Sequence, residues 1–202
     1  MEKNFLNKLA GSLGINLNKI KSAAQDALAG AARGASNKTA TFTFQAVPCS
    51  LDELKALPEA ALTDVYATAA LTVLALARYE QDRDASLAML DWLKGPDDLS
   101  LAERQHIADR FMDGKTYKVR SFFEGATPAN NYTPSSPLRI KVSSNPYSFD
   151  NENWATLYLS SGGADNPRPV RLRKKPSTGQ WFLVEIQFLG DIRTPVAQDK
   201  WA

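Results

Sequence analysis

The chain has 202 residues, of which 44% are hydrophobic and 23% are charged, and its formal net charge is +2. This is the composition of a globular protein, so it excludes a disordered chain and a strongly basic nucleic-acid-binding domain. Cys49 is the only cysteine, which excludes an internal disulfide and favours a cytoplasmic location.

Residues 1–38 are interpreted as a basic extension. They contain six basic residues and two acidic ones, which gives them a net charge of +4 and leaves −2 for the rest of the chain. Apolar residues recur at helical spacing between Phe5 and Ala31, so we expect an amphipathic helix there. Two interpretations stay open. The helix lies on a membrane or in the groove of a partner, or it packs on the main domain or on a second copy of the chain in a homo-oligomer.

The main domain, residues 39–202, begins with a strand and continues with helices. Phe42 and Phe44 alternate with threonines, which is the period of a half-buried strand. Residues 62–80 contain neither glycine nor proline and are apolar on nearly every side. We therefore predict a central helix that is buried over most of its surface. Its uncharged run is shorter than the ~20 residues that a bilayer requires.

Three further helices are predicted from their ends and their spacing. Ser50 and Ser100 are each followed three residues later by glutamate, the capping-box pattern that begins a helix. A helix between these two is predicted around residues 87–93. In the helix that follows Ser100, we expect Leu101 to face inward.

Alternation of apolar and polar residues predicts the strands of the second half. These strands lie within residues 116–123, 138–142, 156–160, 170–173 and 181–188. The order of elements predicts an α+β domain in which helices cover one face of a mostly antiparallel, curved sheet. The last two strands and their glycine turn resemble the closing hairpin of the nuclear-transport-factor-like superfamily, which implies a cone-shaped sheet.

Four unusual segments carry a resemblance to a known family. They are Leu90–Pro96, Phe123–Pro134, Ser161–Pro169 and Arg173–Trp181. Through them, residues 41–202 resemble a family of uncharacterised bacterial proteins, a domain of unknown function. The resemblance implies no activity and no catalytic residue.

The usual catalytic patterns are missing from the sequence. It contains no Cys-x-x-Cys or His-Glu-x-x-His pattern, no phosphate-binding glycine loop and no Gly-x-Ser-x-Gly elbow. His106, the only histidine, lies at the edge of the apolar face of its helix, so a surface histidine is favoured over a general base. We therefore expect no metal and no cofactor, and we favour a protein that is not an enzyme.

Residues 160–169 form the first candidate binding loop. Its paired glycines allow backbone N–H groups to approach an anion closely. The guanidinium of Arg168 can bind the same anion through two hydrogen bonds. The alternative is a rigid turn in which Asp165 binds its own backbone or pairs with Arg168.

Residues 124–137 form the second candidate loop. Asn130, Asn131 and Tyr132 offer hydrogen-bonding groups to a ligand. The alternative is a packed Ω-loop that covers one end of the sheet.

The outer face of the sheet is the third candidate. If the apolar residues of the strands face the helices, the residues that point outward are Arg139, Lys141, Arg171 and Arg173, accompanied by Tyr158 and Trp181. Such a face suits an acidic protein partner or an anionic ligand, and the acidic balance of the domain disfavours nucleic acid. The alternative is that these charged side chains only protect the edge of the sheet and keep the protein soluble.

The leading hypothesis is a binding module that uses this outer face and both loops. The first alternative is a small-molecule pocket or enzyme between helices and sheet, served by Asp165, Arg168 or Glu124. The second is a membrane or assembly tether through the N-terminal helix.

Overall fold

The computed structural model describes residues 37–201, so the predicted N-terminal helix lies outside the described residues. Between residues 37 and 201 there are five α-helices and five strands: β1 Thr39–Phe44, α1 Leu51–Lys55, α2 Val65–Ala77, α3 Arg83–Lys94, α4 Leu101–Phe111, α5 Tyr117–Arg120, β2 Leu138–Ser143, β3 Trp154–Leu159, β4 Arg168–Lys175 and β5 Gln180–Ile186. This arrangement confirms the α+β class.

The strands form an antiparallel sheet in the order β1-β2-β3-β4-β5. Each strand pairs with its neighbour in the chain, except that the helices come between β1 and β2. The sheet is open, with β1 and β5 at its two edges. The antiparallel sheet is therefore confirmed, whereas the resemblance to the nuclear-transport-factor-like cone stays a prediction.

Helix α2 is the central helix that the sequence predicts, although it is shorter than residues 62–80. Every residue from Val65 to Leu76 is buried, and the helix contacts all five strands. Asp64 caps its N-terminus by accepting a hydrogen bond from the backbone N–H of Tyr66 at 2.8 Å. A short 3₁₀ helix precedes α2 and ends at Leu62. The φ of Leu62 is 59°, and this left-handed conformation turns the chain toward the start of α2.

The predicted strand over residues 116–123 is wrong. Tyr117–Arg120 is the short helix α5, and only Phe123 makes a β-bridge, to Ile140 of β2. The adjacent Phe122 and Phe123 are both buried, so the segment lacks the strict alternation of a half-buried strand. A helical turn lets Tyr117 stack on Tyr132, with ring centroids 5.4 Å apart.

The inward face of α4 begins later than predicted. Leu101 is 83% exposed, so the expectation that it faces inward is wrong. The buried residues of this helix are Ile107 and Phe111, one turn apart. The capping box between Ser100 and Glu103 is present, and this places Leu101 in the first, solvent-facing turn.

A β-bulge shifts the alternation of β5. Leu172 pairs with Leu183 but Arg171 pairs with Glu185, which leaves Val184 without a partner in the register. Before the bulge, Leu183 faces the core and is 2% exposed, while Trp181 lies on the same side as Leu183. The prediction that Trp181 points outward is therefore wrong, because a simple period of two cannot reveal an inserted residue.

Candidate functional site

The sheet has one face against α2 and one face that carries charge. Ile140, Val142, Val170 and Leu172 are fully buried against the helices. The residues that alternate with them point the other way: Arg139, Lys141 and Arg173 are exposed, and Arg171 is half-buried. This opposite side is called the outer face below.

The four predicted basic residues of the outer face form two groups rather than one patch. On β3, Thr156 pairs with Arg171, whereas the N–H of Ser160 donates to the carbonyl of Lys141 at 3.1 Å. Four residues along a strand span about 13 Å, so Lys141 lies well away from Arg171. Arg139 lies two residues from Lys141 on β2, so these two form one group and Arg171 and Arg173 on β4 form the other. Tyr158 on β3 lies between the two groups.

The group on β4 is built around an indole that the sequence analysis missed. The guanidinium carbons of Arg171 and Arg173 lie 5.2 and 5.1 Å from the ring centroid of Trp154. These are cation–π distances, so the ring holds the two cations close together. The alternation of β3 extends back from Tyr158 and Thr156 to Trp154, and this signal would have placed Trp154 on the outer face. Trp154, Arg171 and Arg173 are called the tryptophan cluster below.

The two arginines of the tryptophan cluster differ in how far their charge is balanced. Arg171 donates to a carboxylate oxygen of Glu185 at 3.2 Å, and both side chains are about two-fifths exposed. Among residues 37–201, Arg173 has no ion pair. Arg173 is therefore the cation of this cluster with most charge left for a partner.

The group on β2 is partly neutralised. Glu124 pairs with Arg139 at 2.8 Å, and both side chains are partly exposed. Lys141 lies beside them and lines a pocket of about 210 Å³ together with Glu124 and Ser160. This pocket is where the two predicted binding loops meet, and its acidic and basic groups are balanced.

The 160–169 loop is a packed turn in this structure. The N–H of Gly162 donates to the carbonyl of Ser121 at 2.8 Å, and that of Gly163 to the hydroxyl of Ser161 at 3.1 Å. Both glycine amides are thus engaged within the chain. A Cβ at Gly162 would collide with the carbonyl oxygen of Ala126, so this glycine serves close packing.

The charged residues of that loop bind the C-terminal segment rather than each other. Asp165 pairs with Arg193, and Arg168 donates to the backbone carbonyl of Asp191 at 2.8 Å. The Asp165–Arg168 pair considered from the sequence does not form. Both side chains instead fix the tail segment against the sheet.

The 124–137 loop is also held by its own hydrogen bonds. The side-chain amide of Asn130 donates to the carbonyls of Gly125 and Thr133. Asn131 is exposed, with a φ of 53° that turns the chain. These contacts make the loop a compact Ω-like unit.

Tyr132 belongs to the core rather than to a ligand site. It is fully buried, and its hydroxyl donates to the carbonyl of Arg193 at 2.6 Å. Burial raises the pKa of Tyr132 to about 12, and the neighbouring Tyr117 adds to the increase. Of the three residues predicted to bind a ligand in this loop, only Asn131 has an exposed side chain that could reach one.

Two pockets flank the edge strand β5. One of about 300 Å³ adjoins the tryptophan cluster and is lined by Trp154, Arg173 and Phe182. The other, of about 270 Å³, lies between α4 and β5 and includes His106, which is itself exposed. Lys94 lines both pockets.

Lys94 forms the wall between the pockets. Its side chain is 10% exposed and its ammonium contacts a carboxylate oxygen of Glu103 at 2.5 Å. Burial alone would raise the pKa of Glu103, but hydrogen bonds from Lys94 and Ser100 outweigh it and lower that pKa. Glu103 is therefore a charged partner for Lys94 at neutral pH.

No group of three or more histidine, cysteine, aspartate or glutamate side chains between residues 37 and 201 is arranged to hold a metal ion. In the same part of the chain, no helix has the length and apolarity that crossing a membrane requires.

A family model described as a domain of unknown function (DUF6935) matches residues 46–196. This range contains the tryptophan cluster, both loops and all helices from α1 to α5. No curated protein and no solved structure matches the chain.

Proposed function

Because the chain belongs to this family of domains of unknown function, we propose its function from geometry: it is a binding module that holds an acidic protein segment on the outer face. The observation that carries the proposal is the tryptophan cluster, in which two arginines lie over one indole. Arginine and tryptophan are the residues most enriched among energetically dominant interface contacts.

Local charge favours an acidic partner. Lys174 and Lys175 follow Arg173 directly, and Lys175 is exposed like Arg173. The residues after position 38 nevertheless sum to a net charge of −2. A short acidic segment can contact the cluster alone, whereas a long nucleic acid would also meet the acidic remainder of the surface. The proposal keeps the cytoplasmic location that the single cysteine favours.

The test uses a short fluorescein-labelled oligoglutamate peptide and fluorescence anisotropy. The variant Arg171→Gln with Arg173→Gln removes two charges without placing a new carboxylate beside Glu185. We expect about tenfold weaker binding than for the wild type, because surface ion pairs contribute about 1 kcal/mol or less each. The affinity should also fall as salt is added.

The matched control is Arg110→Gln with Lys200→Gln, which removes the same charge from exposed positions outside the sheet. It should leave the affinity nearly unchanged. Equal weakening by the two double variants would contradict the proposal, since binding would then follow net charge alone. Tighter binding of an oligothymidine of equal length would show that the partner is nucleic acid instead.

A second candidate is small-molecule binding in the pocket between α4 and β5. Its volume of about 270 Å³ is close to the lower limit of ligand sites, and its walls are mainly apolar. The residues considered from the sequence for such a site, Asp165, Arg168 and Glu124, do not line it. Ligand-observed NMR with a fragment library tests this candidate. Hits that still bind Ala102→Trp, which fills the pocket mouth, would exclude it.

A further inference from the structure

The pocket of about 300 Å³ next to the tryptophan cluster has an apolar interior. Phe182 and Val184 of β5 line it together with Trp154 and Pro176. Pro96, from the connection between α3 and α4, lines it as well. Aromatic and proline rings are rigid, so they present a preformed apolar surface at little entropic cost.

Two backbone features bring these walls together. Gly95 has a φ of 76°, and a Cβ there would collide with the ring of Phe182. Only glycine therefore lets the α3–α4 connection approach this ring. The bulge at Val184 turns the carbonyl of that residue toward the ammonium of Lys94, 3.5 Å away.

The only charged group at the base of the pocket is already neutralised. Lys94 is paired with Glu103, so it offers its aliphatic stem to the pocket and its charge to the ion pair. A ligand group that enters the pocket thus meets apolar atoms rather than a free ammonium. This favours an apolar group over a carboxylate at the base.

The rim has the opposite character. Arg173 and Lys175 line it, against a single carboxylate from Asp97, whereas the ammonium of Lys174 lies over the ring of Trp181, 5.9 Å from its centroid. The site therefore combines an apolar base with a cationic rim. Its complement is an apolar side chain with carboxylates on both sides of it in the sequence.

We infer that the pocket receives one aromatic or large aliphatic side chain of an acidic protein segment, whose flanking carboxylates contact Arg173 and Lys175. This inference rests on the proposed function and adds the recognition motif to it. A pocket of about 300 Å³ is at the small end of ligand sites, which suits a single anchoring side chain.

The experiment compares two fluorescein-labelled peptides, Glu-Asp-Glu-Phe-Glu-Asp-Glu and the same peptide with Ser in place of Phe. Wild-type protein should bind the Phe peptide about tenfold more tightly, because the aromatic side chain buries apolar surface in the pocket that the serine cannot bury. Val184→Phe, which fills the pocket, should bring the two affinities together without weakening the Ser peptide. The matched control Val196→Phe, at an exposed position, should keep the difference.

Each outcome decides a separate point. Equal affinities in the wild type would overturn the pocket inference and leave the proposed function standing. If the wild type binds neither peptide, the proposed function is overturned, and the pocket inference with it. If Val184→Phe does not fold, the comparison of the Phe and Ser peptides on the wild-type protein still tests the inference. Nuclear Overhauser contacts between the peptide's Phe ring and the side chains of Phe182 and Pro96, which line this pocket, are expected, and contacts to another region instead would contradict the inference.

Discussion

Gly163 shows how single residues fix the loops that surround the sheet end. A Cβ at this position would collide with the hydroxyl of Tyr132 and lie 2.7 Å from Ile192. The 124–137 loop, the 160–169 loop and the C-terminal segment therefore meet at one residue without a side chain. The tight fit explains why the predicted ligand groups of these loops, apart from Asn131, are engaged in internal contacts.

We predict that Gly163→Ala destabilises the fold by about 1–3 kcal/mol, because the added methyl group overpacks a filled site. Chemical denaturation followed by circular dichroism measures the change. Gly190→Ala is the matched control, since the nearest atom to its Cβ is the Gln187 carbonyl oxygen at 4.0 Å. Equal destabilisation by both variants would show that overpacking at Gly163 is not the cause, since the entropy of the unfolded chain alone makes Gly→Ala stabilising.

Glu103 provides a pH-dependent test at the same scale. Its pKa is lowered from the ordinary value of 4.5 because hydrogen bonds from Lys94 and Ser100 overcome the effect of burial. A lowered pKa in the folded state stabilises that state at neutral pH, and this contribution is lost as the pH falls through the folded-state pKa.

We therefore predict that Glu103→Gln lowers the free energy of unfolding near neutral pH and that its difference from the wild type shrinks below the ordinary pKa of glutamate. Urea denaturation at a series of pH values measures this. The control Glu152→Gln, at an exposed site between β2 and β3, should change the free energy of unfolding little. A Glu103→Gln difference that stays constant with pH would mean that the carboxylate is not specially stabilised.

At the scale of elements, α2 and α4 show when a leucine in a helix is buried. Leu71 of α2 is fully buried, whereas Leu101 of α4 is 83% exposed. Leu71 lies in a helix that is apolar on nearly every side, whereas the helix of Leu101 is largely polar and buries only Ile107 and Phe111. Packing against the sheet on one side and α3 on the other makes the difference, because α4 has a covered face only after its first turn.

Leu71→Ala should cost about 2–5 kcal/mol of unfolding free energy, the usual range for removing a buried leucine side chain. Leu101→Ala, the same substitution on a helix surface, should change the stability by about 0.5 kcal/mol or less. Thermal or chemical denaturation distinguishes them. Similar costs for the two variants would mean that Leu101 is covered in solution.

Local patterns predict most elements of this fold but not the points where tertiary contacts override them. Capping at Ser100 and the uniform burial of α2 follow from residues close together in the sequence. The helix at Tyr117 depends on its stacking with Tyr132, fifteen residues later in the sequence. The bulge at Val184 depends on β4, and no residue type marks it in β5.

The candidate site was predictable in part for the same reason. Alternation along β2 and β4 predicts which arginines leave the core, and the structure places them on the outer face. It does not predict the stagger of β2 against β4, which separates Lys141 from Arg171. It also does not predict the two pockets, because one requires the connection at Pro96 to reach β5 and the other requires α4 to lie beside β5.

At the scale of the whole molecule, the sheet divides two tasks between its faces. The inner face packs on α2 and stabilises the fold, while in the proposed function the outer face binds a partner through the tryptophan cluster. An acidic segment bound in this way contacts β3, β4 and the pocket beside β5 from outside, and it leaves the packing of α2 on the inner face unchanged.

The most direct test is a titration of ¹⁵N-labelled protein with the acidic Phe peptide, followed through the four tryptophan indole N–H signals. We predict that the Trp154 signal shifts most, together with the backbone amides of β3 and β4. Trp92 on α3 should stay unchanged, and Trp181, on the helix side of β5, should shift little. A largest shift at Trp92 or in the amides of α3 and α4, with Trp154 unmoved, would contradict the assignment of the outer face as the binding surface.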